Sequence, residues 1–268
     1  MNFNNVYWDW NSMQDAHRAA SILAIGDSWF WYPFPDGSLL NQLGPLVEPK
    51  DHHILAIGNN GAEAYDYVHG KYADAVTTAL RFHGDALSAV FISGGGNDFA
   101  GFNDLRPLLN ANCANATRPE SCFMPGSGDK TLSDFLHGVA DDYTLLIGQI
   151  MVKCRAGTKI FIHNYDYPVP SGDGVFGGGG GGWLKPALDD AKVPAGLQRG
   201  CMKFLIDRFT DVLLKLRDQG NGQVVLVDSR NTLADADWAN ELHPKPEGFK
   251  KIAEEKWRTS LRNCGLAS

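Results

Sequence analysis

An α/β fold, specifically a three-layer α/β/α sandwich around a mainly parallel five-stranded sheet, follows from two features of this sequence. Five short, nearly continuous apolar runs are each bounded by Gly, Asn or Asp, and segments with helical spacing lie between them. Strands read this way when both faces of a parallel sheet are covered, because neither set of alternating side chains meets water.

The expected strands are 21–25 (Ser-Ile-Leu-Ala-Ile), 53–57 (His-Ile-Leu-Ala-Ile), 86–92 (Ala-Leu-Ser-Ala-Val-Phe-Ile), 159–163 (Lys-Ile-Phe-Ile-His) and 223–227 (Gln-Val-Val-Leu-Val). The clearest helix spans 131–154, where Thr131 and Asp134 resemble a capping box and apolar residues recur every three or four positions. A second runs over about 193–219, and a last one begins near Lys245. Two insertions interrupt the alternation, at about 110–130 and 164–192. The second holds six consecutive glycines, 177–182, which can form neither a stable helix nor a stable strand. That run reads either as a mobile substrate loop or as a surface linker.

With 268 residues, 44% of them hydrophobic, the chain has the apolar material for one sizeable core, and it is read as one domain, 1–268. A net charge of −7 argues against a nucleic-acid or anionic-membrane partner, since both demand basic patches. No run reaches the roughly 18 apolar residues of a membrane span. The first twenty residues lack the basic start and apolar stretch of a secretory signal, so a cytoplasmic location is the default expectation, with export left open. Cys113 and Cys122 flank a Pro/Asn-rich loop and would pair in an oxidising compartment or stay reduced in the cytoplasm. Neither Cys-x-x-Cys nor His-x-x-x-His occurs, so no metal site is expected. Oligomeric state is left open.

In open parallel sheets ligands sit beyond the carboxyl ends of the strands. After the first expected strand comes Gly26-Asp27-Ser28-Trp29, which puts a serine where strand turns into helix. A serine hydroxyl needs a neighbouring base to become a nucleophile; taken alone, the motif also reads as a helix N-cap. After the second comes Gly58-Asn59-Asn60-Gly61, where a glycine can present its N–H unobstructed or simply make a turn. After the third, Gly94-Gly95-Gly96-Asn97-Asp98 supplies Asn97 as a side-chain donor; a phosphate loop would need a following Gly-Lys-Ser/Thr that is missing. Near the C-terminus Asn240-Glu241-Leu242-His243-Pro244 offers His243 as a base.

In this order the four blocks resemble those of the SGNH (GDSL-like) serine hydrolases, over residues 22–249. The resemblance implies a flavodoxin-like sheet and an esterase acting on small-molecule carboxylic esters without a cofactor. It implies Ser28 as nucleophile, the Ser28 N–H, Gly61 and Asn97 as an oxyanion hole, and His243 as base, with Asp27 and Asp98 holding the loops. The aromatic stretch directly after the serine, with Trp29, Trp31 and Tyr32, reads either as the lining of the substrate pocket or as core packing for the first helix. Short-chain or aryl esters are the default substrate; a carbohydrate O-acetyl esterase and a non-catalytic binding domain are the alternatives. One departure stands out. The family places an aspartate three residues before the histidine, and here that position is Asn240. His243 would then be oriented by Asn240, by a backbone carbonyl, or by Asp237 or Glu241.

Overall fold

The computed structural model describes residues 5–31, 37–126, 128, 131–175 and 181–268. Six parallel strands form one sheet: β1 (Val6–Tyr7), β2 (Ile22–Gly26), β3 (Ile54–Gly58), β4 (Ala89–Ile92), β5 (Lys159–His163) and β6 (Val224–Val227), in the spatial order β1-β3-β2-β4-β5-β6. Five of these are the expected strands, and β1 corrects the count from five to six. It pairs only through Val6↔Ile54 and Tyr7↔Leu55, and two residues are too short for any periodicity to show.

β2 and β3 have the same sequence, Ile-Leu-Ala-Ile-Gly, and pair in register from Ile22↔Ile54 to Gly26↔Gly58. At the end of that ladder Gly58 has φ +121°, and a Cβ there would lie 2.0 Å from the Gly26 carbonyl oxygen. Only glycine lets the chain leave β3 so close to β2. The strand order reverses between β2 and β4, so the crevice at their carboxyl ends is where such sheets bind ligands.

Helices cover the sheet in two groups. Ala73–His83, Leu132–Lys153 and Ala195–Gln219 pack in one series, and Leu39–Val47 packs with Pro246–Ile252 and the turn Ala253–Trp257 in the other. Ala195–Gln219 buries Cys201, Leu205, Ile206, Phe209 and Leu213, a stripe at helical spacing. Trp257 sets its ring against Phe91 of β4 and Phe161 of β5, at 5.2 and 5.9 Å between centroids. The expected capping box at Leu132–Lys153 is only half made: Thr131 Oγ1 accepts from Asp134 N at 3.2 Å, but the Thr131 N–H donates to Gly128 O.

The first insertion closes on a bridge between Leu109 and Phe123, and Cys113 and Cys122 inside it are free thiols. The second closes on a bridge between Asp173 and Gly181; glycines 177–180 lie outside the described residues. Among the described residues no helix is long and apolar enough to cross a membrane.

β5 ends on His163, fully buried among the rings of Trp29, Phe30, Tyr165 and Trp257. Nδ1 lies 2.6 Å from Asn164 O, and Nε2 has no hydrogen-bond partner among the described residues. Burial pushes its pKa down to about 4. Since the unfolded ring titrates near 6.5, the folded state refuses a proton that the unfolded state takes up. Stability from this group is therefore present above about 6.5 and lost as pH falls toward 4. Replacing His163→Phe is expected to flatten urea-denaturation stability over that window by on the order of 3 kcal/mol; an unchanged pH slope would contradict the assignment.

Candidate active site

Each of the first three strands after β1 ends in one part of the site. Ser28 opens the short helix Ser28–Trp31 directly after β2. Asp27 beside it is buried, and its carboxylate accepts from Trp29 N (3.0 Å), Ser93 Oγ (2.7 Å) and Tyr165 OH (2.6 Å). Burial raises its pKa, against the lowering by Tyr165, Ser93 and Trp29. The side chain thus ties the turn that presents Ser28 to the segments that follow β4 and β5.

Gly61 follows β3 at φ +75°, in the left-handed region that glycine adopts freely, and no side chain of its own stands beside its N–H. Neither that N–H nor the Ser28 N–H has a hydrogen-bond partner among the described residues. Asn97 follows β4; one proton of its Nδ2 goes to Ala62 O at 2.9 Å, which leaves the second for a ligand. Asp98 accepts from Ala64 N at 3.1 Å, binding the two loops together, and burial pushes its pKa up to about 7.

The glycine segment carrying Asn97 is pinned by three tyrosines. Tyr67 OH donates to Ser93 O (2.9 Å), Tyr143 OH to Gly94 O (3.0 Å), and Tyr165 OH accepts from Gly96 N (3.1 Å) while donating to Asp27. Sequence reasoning missed all three. Two sit in helices, where a buried tyrosine looks like any core aromatic, but Tyr165 stands just after β5 and could have been found by the rule that located the other site residues.

His243 comes from a tight reversal closed by a bridge between Trp238 and Pro244, with Ala239 N donating to His243 O at 2.8 Å. Its Nε2 lies 2.7 Å from Ser28 Oγ, across 215 residues of chain. Asn240 Oδ1 meets Leu242 N (3.0 Å), His243 N (2.9 Å) and His243 Nδ1 (3.0 Å). Backbone N–H groups can only donate, so the atom they share is an oxygen, and an oxygen of an amide cannot donate to Nδ1. Nδ1 therefore carries the ring proton, and Nε2 is the acceptor facing the Ser28 hydroxyl. Burial holds the His243 pKa down to about 3, which keeps the ring neutral. Trp29 Nε1 donates to Leu242 O at 3.0 Å, joining the serine helix to the histidine reversal.

The two carboxylates among the candidates for orienting His243 are engaged elsewhere. Asp237 pairs with Lys251 Nζ at 2.7 Å. Glu241, fully buried, accepts from Gly172 N (2.9 Å), Leu184 N (2.7 Å) and Lys185 N (3.0 Å), and so closes the neck of the second insertion. That neck delivers Trp183, whose ring stands edge-on to His243 at 5.7 Å. Trp183 was invisible to sequence reasoning because an insertion has no periodicity to read.

Two spaces meet at Ser28, Asn97 and Leu242. A cleft of about 330 Å³ is bordered by Asn60, Gly61, Val175, Trp183 and His243. A much smaller space on the other side is walled by Trp29, Phe99, Tyr165, Ile206 and Trp238. Trp29 walls the smaller space, whereas Trp31 packs on Trp8 at 4.9 Å and borders neither space. Tyr32 lies outside the described residues. Among the described residues no group of three or more His, Cys, Asp or Glu is placed to hold a metal ion.

This α/β/α fold is shared with solved lipases and esterases. It superposes on an extracellular lipase from Streptomyces rimosus with a TM-score of 0.52 at 15% identity, covering 92% of this chain and all of that one. It likewise matches an acetylxylan esterase from Geobacillus stearothermophilus, solved as a catalytic mutant with an aspartate changed to alanine, with a TM-score of 0.50 at 15% identity over 93% and 98% of the two chains. No protein-family model and no curated protein matches the sequence.

Proposed function

We propose that the chain is a serine ester hydrolase acting on short-chain or aryl carboxylic esters. The observation that carries this is the 2.7 Å contact between Ser28 Oγ and a His243 Nε2 that Asn240 holds in the accepting tautomer. A lipase and an acetylxylan esterase, both ester-cleaving by name, share the fold.

Ser28 Oγ attacks the ester carbonyl carbon as its proton passes to His243 Nε2, and the carbonyl π pair moves onto the oxygen. The N–H groups of Ser28 and Gly61 and the second proton of Asn97 Nδ2 would receive that charge. Collapse breaks the bond to the alcohol oxygen, which leaves with the proton from Nε2. Water, deprotonated by the same nitrogen, then releases the acid from Ser28. The test is hydrolysis of p-nitrophenyl esters, together with labelling by a fluorophosphonate probe, each in wild type and in Ser28→Ala. Activity and labelling that survive the substitution would sink the reading.

Removing one donor of the hole is a separate check. Asn97→Ala is expected to lower kcat by about 10²–10³-fold with little change in KM, because the donor is used most when the oxygen is charged. A change confined to KM would place Asn97 in ground-state binding instead.

A further inference from the structure

The two spaces at Ser28 differ greatly in size. The smaller has about 20 Å³ open to the centres of water-sized groups. One water needs roughly 10–15 Å³ by that measure, so the space admits about one methyl-sized group. Its walls are core residues: Phe99, Trp29 and Tyr165 are buried, and Ile206 is fully so within Ala195–Gln219. Close-packed walls of this kind do not recede at low cost.

Chemistry decides which half of an ester enters which space. The leaving oxygen must take its proton from His243 Nε2, and His243 borders the 330 Å³ cleft but not the smaller space. The carbonyl oxygen turns toward Gly61 and Asn97, and Gly61 also borders only the larger cleft. With oxygen and alcohol both placed on that side, the acyl carbon chain is left facing the small space.

We infer that the site is selective for acetyl esters, with the acetyl methyl seated behind Ser28 against Ile206 and Phe99, and the alcohol lying in the cleft beside Trp183. This inference rests on the ester-hydrolase reading above. During the cycle the acetyl carbon exchanges its bond to the alcohol oxygen for one to Ser28 Oγ, and water then releases acetate.

The test is kcat/KM for p-nitrophenyl acetate, butyrate and octanoate below their micellar concentrations, each normalised to its own hydroxide-catalysed rate. One excess methylene in a tight apolar pocket discriminates by about 10–200-fold. Butyrate is therefore expected at least about ten-fold below acetate, and octanoate about a hundred-fold or more below it. Ile206→Ala, and the milder Ile206→Val should the first not fold, is expected to raise the butyrate-to-acetate ratio, by about ten-fold for alanine. Octanoate turned over as well as acetate by wild type, in a Ser28-dependent way, overturns the inference and leaves the esterase standing. A folded Ile206 variant with an unchanged ratio overturns the placement of the acyl group. Absence of Ser28-dependent hydrolysis and of probe labelling would instead remove the esterase reading beneath it.

Discussion

Replacing Ser28→Ala is expected to lower kcat on p-nitrophenyl acetate by about 10⁴–10⁶-fold, the range over which removal of a serine nucleophile acts elsewhere. The fold should persist. The hydroxyl's one hydrogen-bond partner among the described residues is His243, and the turn that carries it is held through the Asp27 carboxylate by Trp29 N, Ser93 and Tyr165. An alanine leaves those three bonds untouched, so circular dichroism and the melting temperature should change little while turnover disappears. Loss of activity together with loss of structure would say nothing about chemistry; loss with structure retained ties the reaction to one oxygen atom.

Asn240→Asp is expected to act in the opposite direction. Proton transfer from Ser28 makes His243 cationic, and the group at its Nδ1 is a neutral amide, in a pocket whose burial already disfavours the charged ring. A carboxylate in the same place would accept the same three N–H bonds and stabilise the cation as well. The reverse exchange in a serine protease costs about 10⁴ in turnover. Part of that should be recoverable here, as a rise in kcat of about 10–100-fold. The pH profile gives the sharper check. His243 must be neutral to act as base, and its pKa is held down to about 3, so the acid limb of kcat/KM in wild type should fall well below pH 5. In the Asn240→Asp variant the folded pKa of His243 rises, and the limb should move up toward the ordinary histidine range. Identical limbs and rates in the two proteins would mean that Asn240 does not govern the charge of His243.

How far this site could be read from the chain alone depends on where each residue stands. Ser28, Gly61 and Asn97 follow apolar runs, and a parallel sheet gathers the ends of such runs at one edge, so their meeting was legible. His243 was legible through the proline behind it. Its orienting partner was not, because the choice among Asn240, a backbone carbonyl, Asp237 and Glu241 turns on a backbone reversal that no local spacing specifies. Only the tertiary structure sends Asp237 to Lys251 and Glu241 to the second insertion. The same limit hid β1: Val6–Tyr7 becomes a strand only because the outer edge of β3 is there to pair with it. The tyrosine clamp was lost for a different reason, since a phenol that holds a carbonyl and one that merely fills the core leave the same mark in a sequence.

The Glu241 carboxylate has a consequence for how such a chain can change over time. Gly172 and Leu184, the entry and exit of a long excursion, are fastened to one side chain located two positions from His243. The excursion is thereby anchored at both ends, like a drawer whose runners are bolted to the frame. Residues between the two fastenings can be exchanged with both ends held, Trp183 excepted, since its ring stands against His243.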